Sequence, residues 1–199
     1  MRRDLITVKP LQSSFLSCEK DTELLISTLF EYTQPYADIL KRLLIINEPD
    51  CLDKEQYQDV IDQYSIGRLI REGYIRTKPE VQLPEHEDVK AYIIISFDNF
   101  TVNSKNEQFK DCTVNFDILC NLDAWNLDDY KLRPLQICGY IDGIFDLYNQ
   151  SRNNISTGLT GIGKYVYMGC NMLVLNDQIS GYTLSFRAVH FSEDKEDVE

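Results

Sequence analysis

The stretch "CTVNFDILC" (112–120) decides the fold, because its side chains alternate strictly between apolar and polar. Successive side chains of a strand point to opposite faces of a sheet, so period-2 alternation predicts a strand with one buried face. The predicted buried face carries the apolar residues of the stretch: Val114, Phe116, Ile118 and Cys120. The opposite face carries Thr113, Asn115 and Asp117. This strand therefore needs partner strands beside it and an apolar layer on one side.

Further periodic segments on both sides of this stretch supply those partners. "VKAYIIISF" (89–97) is rich in β-branched and aromatic residues, as strands are, and so are 164–175 and 181–191. Between the second and third strands, 123–150 changes to a helical period with Pro134 near its start. Its predicted apolar stripe is Leu135, Cys138, Ile141, Phe145 and Tyr148. The order β-β-α-β-β predicts a sheet with a helix packed on one face.

The first third of the chain is helical in pattern. Two segments, "TQPYADILKRLLIIN" (33–47) and "KEQYQDVIDQY" (54–64), have apolar residues at helical spacing. Asp53 is placed to cap the start of the second helix, and Gly73 is a plausible C-terminal cap of the short helix in "SIGRLIREGY" that follows. The fold class predicted is α+β: a helical N-terminal third followed by the sheet. The predicted divisions are an N-terminal arm (1–20), a helical region (21–76), a linker (77–88), the α+β core (89–191) and an acidic disordered tail (192–199).

Composition restricts the classes of function. Thirty-two acidic residues against twenty basic ones give a net charge of −12, and the sequence pI is about 4.6. Such a field repels phosphate backbones and disfavours ordinary nucleic-acid binding. It serves solubility, or a surface that lies near DNA without adhering to it. The six cysteines form no C-x-x-C motif, and we expect them to be free thiols in a cytoplasm. We expect neither a signal peptide nor a membrane span.

The segment "STGLTGIGK" (156–164) has the spacing of a phosphate-binding P-loop up to its last position. A P-loop opens a helix, but here a predicted strand follows, and Tyr165 stands where Ser or Thr would ligate magnesium. We therefore expect no nucleotide and no other cofactor. Gly158, Gly161 and Gly163 are interpreted as hinges of an exposed loop, and Lys164 as a surface cation facing DNA or a neighbouring subunit.

Candidates for catalysis and metal binding are weak. The two histidines, His86 and His190, lack a neighbouring nucleophile motif, and "PEHED" (84–88) lies in the predicted linker. No catalytic or metal site is predicted. A small metal-dependent hydrolase that uses Asp117, Asp123 and Asp128 stays open as an alternative.

Two groups of residues are candidates for an interface. Four cations, Arg68, Arg71, Arg76 and Lys78, form the one locally basic region of an acidic chain, which could dock on an acidic partner such as another copy. Gly139 and Gly143 lie four apart in the predicted helix, where each costs about 1 kcal/mol relative to alanine. We therefore expect the sheet or a neighbouring subunit to pack closely there.

The C-terminal half resembles the neck and tail-completion ring proteins of tailed bacteriophages, particularly tail-terminator-like proteins. The resemblance rests on four ordered segments: "AYIIISFDNF", "TVNFDILCNLDAW", "LRPLQICGYIDGIF" and "GIGKYVYMGCNMLVLNDQISGYTLSFRAVHF". The last segment looks most like neck proteins of large gut phages of the crAss-like type. The helical first third departs from the smallest members of the family, so the level of the ring in the neck stays open.

The resemblance implies a structural virion protein without catalysis, made in the cytoplasm of the host bacterium. It implies a homo-oligomeric ring, either a tail terminator or a head–tail connector, that contacts portal, neck or tail proteins while DNA passes through its lumen. The loops 99–111 and 149–163 are candidates for reaching the lumen or a neighbouring ring. A non-viral adaptor that binds through its helical part stays open as another alternative.

Overall fold

The computed structural model describes residues 14–77, 90–103, 110–152 and 162–190. The helices are α1 (Ser14–Ser27), which continues into a π-helical turn (Thr28–Tyr32), α2 (Tyr36–Ile45), α3 (Lys54–Ile61), α4 (Ile66–Arg71) and α5 (Arg133–Arg152). A 3-10 turn spans Leu122–Ala124. The strands are β1 (Ile75–Arg76), β2 (Ala91–Val102), β3 (Lys110–Asn121), β4 (Ile162–Val174) and β5 (Ile179–His190). The predicted α+β class is confirmed.

The strands form one sheet in the order β1-β2-β3-β5-β4. Strands β2, β3, β5 and β4 are antiparallel to their neighbours, whereas β1 runs parallel to β2. The register places Phe116 of β3 between Ile95 of β2 and Leu184 of β5, so the apolar side chains of three strands share one face. The strand predicted from the period-2 stretch therefore lies at the centre of the sheet.

Helix α5 covers this apolar face. Phe145 of α5 lies 5.6 Å from Phe116 and 5.0 Å from Phe186, measured between ring centroids. The predicted stripe is confirmed at Cys138, Ile141 and Phe145, which are buried. It is wrong at Leu135, whose side chain is 42% exposed, because the buried face of the helix turns toward Ile137 and Ile144 instead.

The helical region and the sheet share one hydrophobic core, which extends from Leu25 to Ala188. Strand β1 follows α4 directly and joins the sheet, so the helical region contributes an edge strand as well as helices. Helix α1 begins at Ser14, inside the segment expected to be an arm. The expected linker, apart from residue 77, and the expected acidic tail lie outside the described residues.

The predicted helix ends are confirmed at two positions. The Asp53 side chain accepts a hydrogen bond from the main-chain N–H of Glu55 at 3.0 Å, as an N-cap does. Gly73 has a φ of +85°, and the N–H of Tyr74 donates to the carbonyl of Leu69. This left-handed conformation favours glycine and ends α4.

A fully buried arginine joins the helical region to α5. Arg133 is 0% exposed, and its guanidinium donates five hydrogen bonds to main-chain carbonyls. The five acceptors, at 2.6–3.0 Å, are Ala124, Leu43, Ile46, Asn47 and Glu48. Four of them lie at or just after the end of α2, where helix carbonyls lack intrahelical partners and carry partial negative charge. The arginine thus caps α2 from a position about ninety residues away in sequence.

Candidate interaction surface

Arg68, a member of the predicted basic cluster, is engaged within the chain. Its Nε lies 2.6 Å from Oε1 of Glu72, and its guanidinium carbon lies 3.9 Å from the ring centroid of Tyr64. The hydrogen bond from Arg68 lowers the pKa of the Glu72 carboxyl. Much of the charge of Arg68 is therefore already neutralised by α4 itself.

The other cations of the cluster are spread out. Arg76 stacks over the ring of Tyr92 at 4.6 Å and donates from Nε to the carbonyl of Gly73 at 3.1 Å. Arg71 is exposed, and Lys78 lies outside the described residues. Of the three described members, Arg71 alone presents a mainly exposed side chain.

The two glycines of α5 lie on its outer face. Gly139 and Gly143 are exposed, and a Cβ added at either one would meet nothing within 4 Å. The expectation that the sheet packs closely on them is therefore wrong, since α5 turns its other face to the sheet. The alternative, a neighbouring subunit, stays a prediction. Nearby on α5, partial burial and the Asp146 charge raise the pKa of the Asp142 carboxyl.

Strand β4 forms an edge of the sheet and contains two of the predicted site residues. Gly163 lies inside the strand, at a shift of register between Ile162 and Lys164, and Lys164 is exposed. Lys164 lies in a strand, as predicted, whereas a P-loop lysine opens a helix. Gly158 and Gly161 lie outside the described residues.

The outer part of β4 is apolar and exposed. We call residues 166–174 the β4 edge; its large exposed apolar side chains are Val166, Tyr167, Met168, Met172 and Val174, which are 41–65% exposed. β5 is the strand's one neighbour in the described sheet. No aspartate or glutamate occurs between residues 147 and 176, although the chain carries a net charge of −12. Natural edge strands usually carry charges or prolines that prevent pairing with other chains, and the β4 edge has neither.

One end of β4 is capped from within the chain. Nδ2 of Asn149, near the end of α5, donates to the carbonyl of Tyr165 at 2.6 Å, and Oδ1 of Asn149 accepts from the N–H of Tyr165 at 3.0 Å. The side-chain amide thus occupies the main chain of Tyr165 as a neighbouring strand would. The cap lies just before the β4 edge, and it occupies the main chain of Tyr165 alone.

The sheet face opposite α5 is crossed by side-chain hydrogen bonds. Asn115 is central: its Nδ2 donates to Asp98 at 3.0 Å, and its Oδ1 accepts from Ser185 at 2.6 Å. At the next residue of β3 on the same face, the Asp117 carboxylate accepts a hydrogen bond from the Thr183 hydroxyl at 2.6 Å. At the far end the buried Asp111 carboxylate accepts from Asn103 at 2.7 Å and from Arg187 at 2.9 Å. These bonds tie β2, β3 and β5 together on a face that the sequence predicted to be polar.

The acids proposed for an alternative hydrolase do not form a cluster with metal-ligand geometry. Asp117 lies in the middle of β3 and is hydrogen-bonded to Thr183, whereas Asp123 lies in the 3-10 turn and Asp128 in the exposed turn before α5. Among the described residues, no group of three or more His, Cys, Asp or Glu is arranged to hold a metal ion.

The family model YomW matches residues 37–188, which include most of the helical region and the sheet as far as β5. No curated protein matches the chain. None of the helices in the described part of the chain is long and apolar enough to cross a membrane.

Proposed function

We propose that the chain, which belongs to the YomW family, is a structural protein of a tailed-phage virion. The family name derives from a Bacillus phage, which supports a phage-related role. In this proposal copies of the chain form a ring at the head–tail junction, as tail terminator or neck connector. The ring joins the portal to the tail and does not catalyse a reaction.

The observation that carries the proposal is the β4 edge. Unpaired strand edges are templates for pairing with another chain, and exposed apolar surface marks interaction sites. The β4 edge has no partner strand in the described sheet on its outer side, and it carries exposed apolar side chains and no acidic residue. Copies that each carry a charge of −12 repel one another, so an acid-free surface is where the repulsion on contact is smallest.

The charge of the chain also supports a position around DNA. A lumen lined with carboxylates repels the phosphate backbone, so DNA can pass without being held. The polar sheet face opposite α5 carries Asp98 and Asp117, both within hydrogen-bond networks that fix their positions. This face is suited to contact with solvent or a passing polyanion rather than to tight packing.

The first test places charges on the β4 edge. Met168 and Met172 are each more than half exposed, so Met168→Lys with Met172→Lys is expected to leave the monomer folded while preventing strand pairing. In light scattering and negative-stain electron microscopy, we expect rings for the wild type and monomers for the double variant. Val60→Lys on α3, at an exposed apolar residue outside the sheet, is the control and is expected to keep the ring. Rings that persist unchanged in the double variant contradict the role of the β4 edge.

The second test asks about the function itself. A phage that lacks this gene is expected to accumulate filled heads and separate tails, because the junction between them is missing. Particles that join heads to tails normally without the protein rule the proposal out, whatever its oligomeric state in solution.

A further inference from the structure

Two free cysteines lie against each other between α5 and β4. The Sγ atoms of Cys138 and Cys170 are 4.0 Å apart, although the residues are 32 positions apart in sequence. Cys138 is 7% exposed, whereas Cys170 is half-buried. A separation of 4.0 Å is a van der Waals contact between thiols; a disulfide bond requires about 2.05 Å.

The surroundings allow the remaining approach. Cys170 lies on an edge strand with β5 as its one neighbour in the described sheet, so β4 can move without displacing a second strand. The register of β4 is already irregular between Tyr167 and Gly169, directly before Cys170. Such irregularities bend a strand locally and loosen its pairing.

We infer that Cys138 and Cys170 form a thiol pair that reacts with small-molecule disulfides and closes into an intrachain disulfide between α5 and β4. In the first step the Cys170 thiolate attacks a sulfur of the small disulfide, which forms a mixed disulfide and releases one small thiolate. In the second, Cys138 loses its proton to solvent, attacks the Cys170 sulfur and releases the second small thiolate. Two protein thiols are oxidised and one external disulfide is reduced to two thiols.

The order of the two steps follows from accessibility. A small disulfide can reach the half-buried Cys170, whereas Cys138 is covered. Burial, followed by the neighbouring Cys170, raises the pKa of the Cys138 thiol, which keeps it protonated and slow toward external reagents. Once Cys170 carries the mixed disulfide, its sulfur lies next to Cys138 and the second step is intramolecular.

The bond would fix the edge strand to the helix that packs on it. A reducing cytoplasm keeps the pair open, whereas an oxidising exterior supplies the disulfides that close it. Closing a loop of this length constrains the unfolded chain, so we expect the melting temperature to rise by about 5–10 °C and to return on reduction.

The test uses the full reduced chain, oxidised glutathione as the probe, and tryptic mapping without reductant. Trypsin gives peptides 132–152 and 165–187, each with a single cysteine, so a linked pair identifies the bond directly. We expect this pair to be the predominant disulfide in the folded chain and to fall to the level of other cysteine pairs in urea. Cys138→Ser is expected to retain glutathione on Cys170, and Cys112→Ala, at another buried cysteine, is expected to leave the linked pair unchanged.

Two results would overturn the inference. One is a folded wild type in which Cys170 keeps glutathione, or stays unmodified, without forming the linked pair. The other is a linked pair no more abundant in the folded chain than in urea. Neither result bears on the proposed ring, because the ring tests measure oligomeric state and head–tail joining rather than this bond.

Discussion

Replacing Arg133 by methionine tests whether one buried side chain holds the helical region to the sheet. Methionine keeps much of the length and apolar stem of arginine but donates no hydrogen bond. The change leaves five main-chain carbonyls without the donor that they have in the native structure, four of them at or just after the end of α2. It also removes the positive charge that faces the negative end of that helix.

The expected cost follows from these contacts. A buried acceptor left without its partner costs about 1–3 kcal/mol, and five such costs do not add fully, because the end of α2 can rearrange. Hydrogen bonds to a charged group are worth about 1.5–3 kcal/mol each, so the loss of two of them without replacement already costs about 3–5 kcal/mol. We expect Arg133→Met to lower the free energy of unfolding by about that amount, a large part of the roughly 5–15 kcal/mol typical of a domain.

Arg133→Lys separates charge from geometry. Lysine keeps the positive charge but has three donors on one nitrogen, so it cannot reach all five carbonyls that the planar guanidinium serves. We expect a loss of about 1.5–3 kcal/mol, between those of the wild type and the methionine variant.

Urea unfolding followed by circular dichroism measures these differences. Arg71→Met removes an exposed arginine from α4 and is expected to change stability by less than about 0.5 kcal/mol. Amide hydrogen exchange supplies a local readout: in Arg133→Lys the last turn of α2 should exchange faster, with little change in the centre of β3. A loss below about 1 kcal/mol in Arg133→Met would refute the reasoning.

Three further predictions test other contacts. Gly181→Ala should lower the free energy of unfolding in urea by at least about 2 kcal/mol, because an added Cβ would clash with the carbonyl oxygen of Ile118. Gly67→Ala is the control: the site has open space around it, so this change should stabilise the chain by up to about 1 kcal/mol. Asn149→Ala should lower the free energy of unfolding by about 1–2 kcal/mol, since two hydrogen bonds to Tyr165 are lost. Amide exchange at the start of β4 should become faster, and unchanged exchange would contradict the capping role of Asn149. Asp142→Asn should stabilise the chain at pH 7, because the raised pKa of the Asp142 carboxyl means that folding disfavours its ionised form. The gain in stability should vanish well below pH ~3.9, where the carboxyl is protonated in both the folded and the unfolded chain. A gain that is independent of pH would contradict this cause.

The long strands and helix α5 could be predicted because their signals are local. Alternation in 112–120 fixes the buried face of β3, and the helical period around Ile141 fixes that of α5. Strand β1 could not be predicted, because two residues are too few for a period and its pairing with Ile93 depends on the tertiary fold. The role of Arg133 was equally hidden: next to a proline at a helix start it looks like a surface cation, and its acceptors are distant in sequence.

The candidate surface depends on strand order, which the sequence pattern does not determine. The absence of acidic residues from β4 is visible in the sequence. It would not indicate an interaction surface if β4 lay between two other strands, because an apolar strand in that position belongs to the core. In the structure β5 lies between β3 and β4, so β5 is covered on both sides and its polar residues, such as Ser185, bond across to β3. The strand whose residues 166–174 carry no charge is thereby left at the edge. Because folding alone gains little from exposed apolar side chains on an edge without charges or prolines, their placement there supports the proposed pairing with another copy.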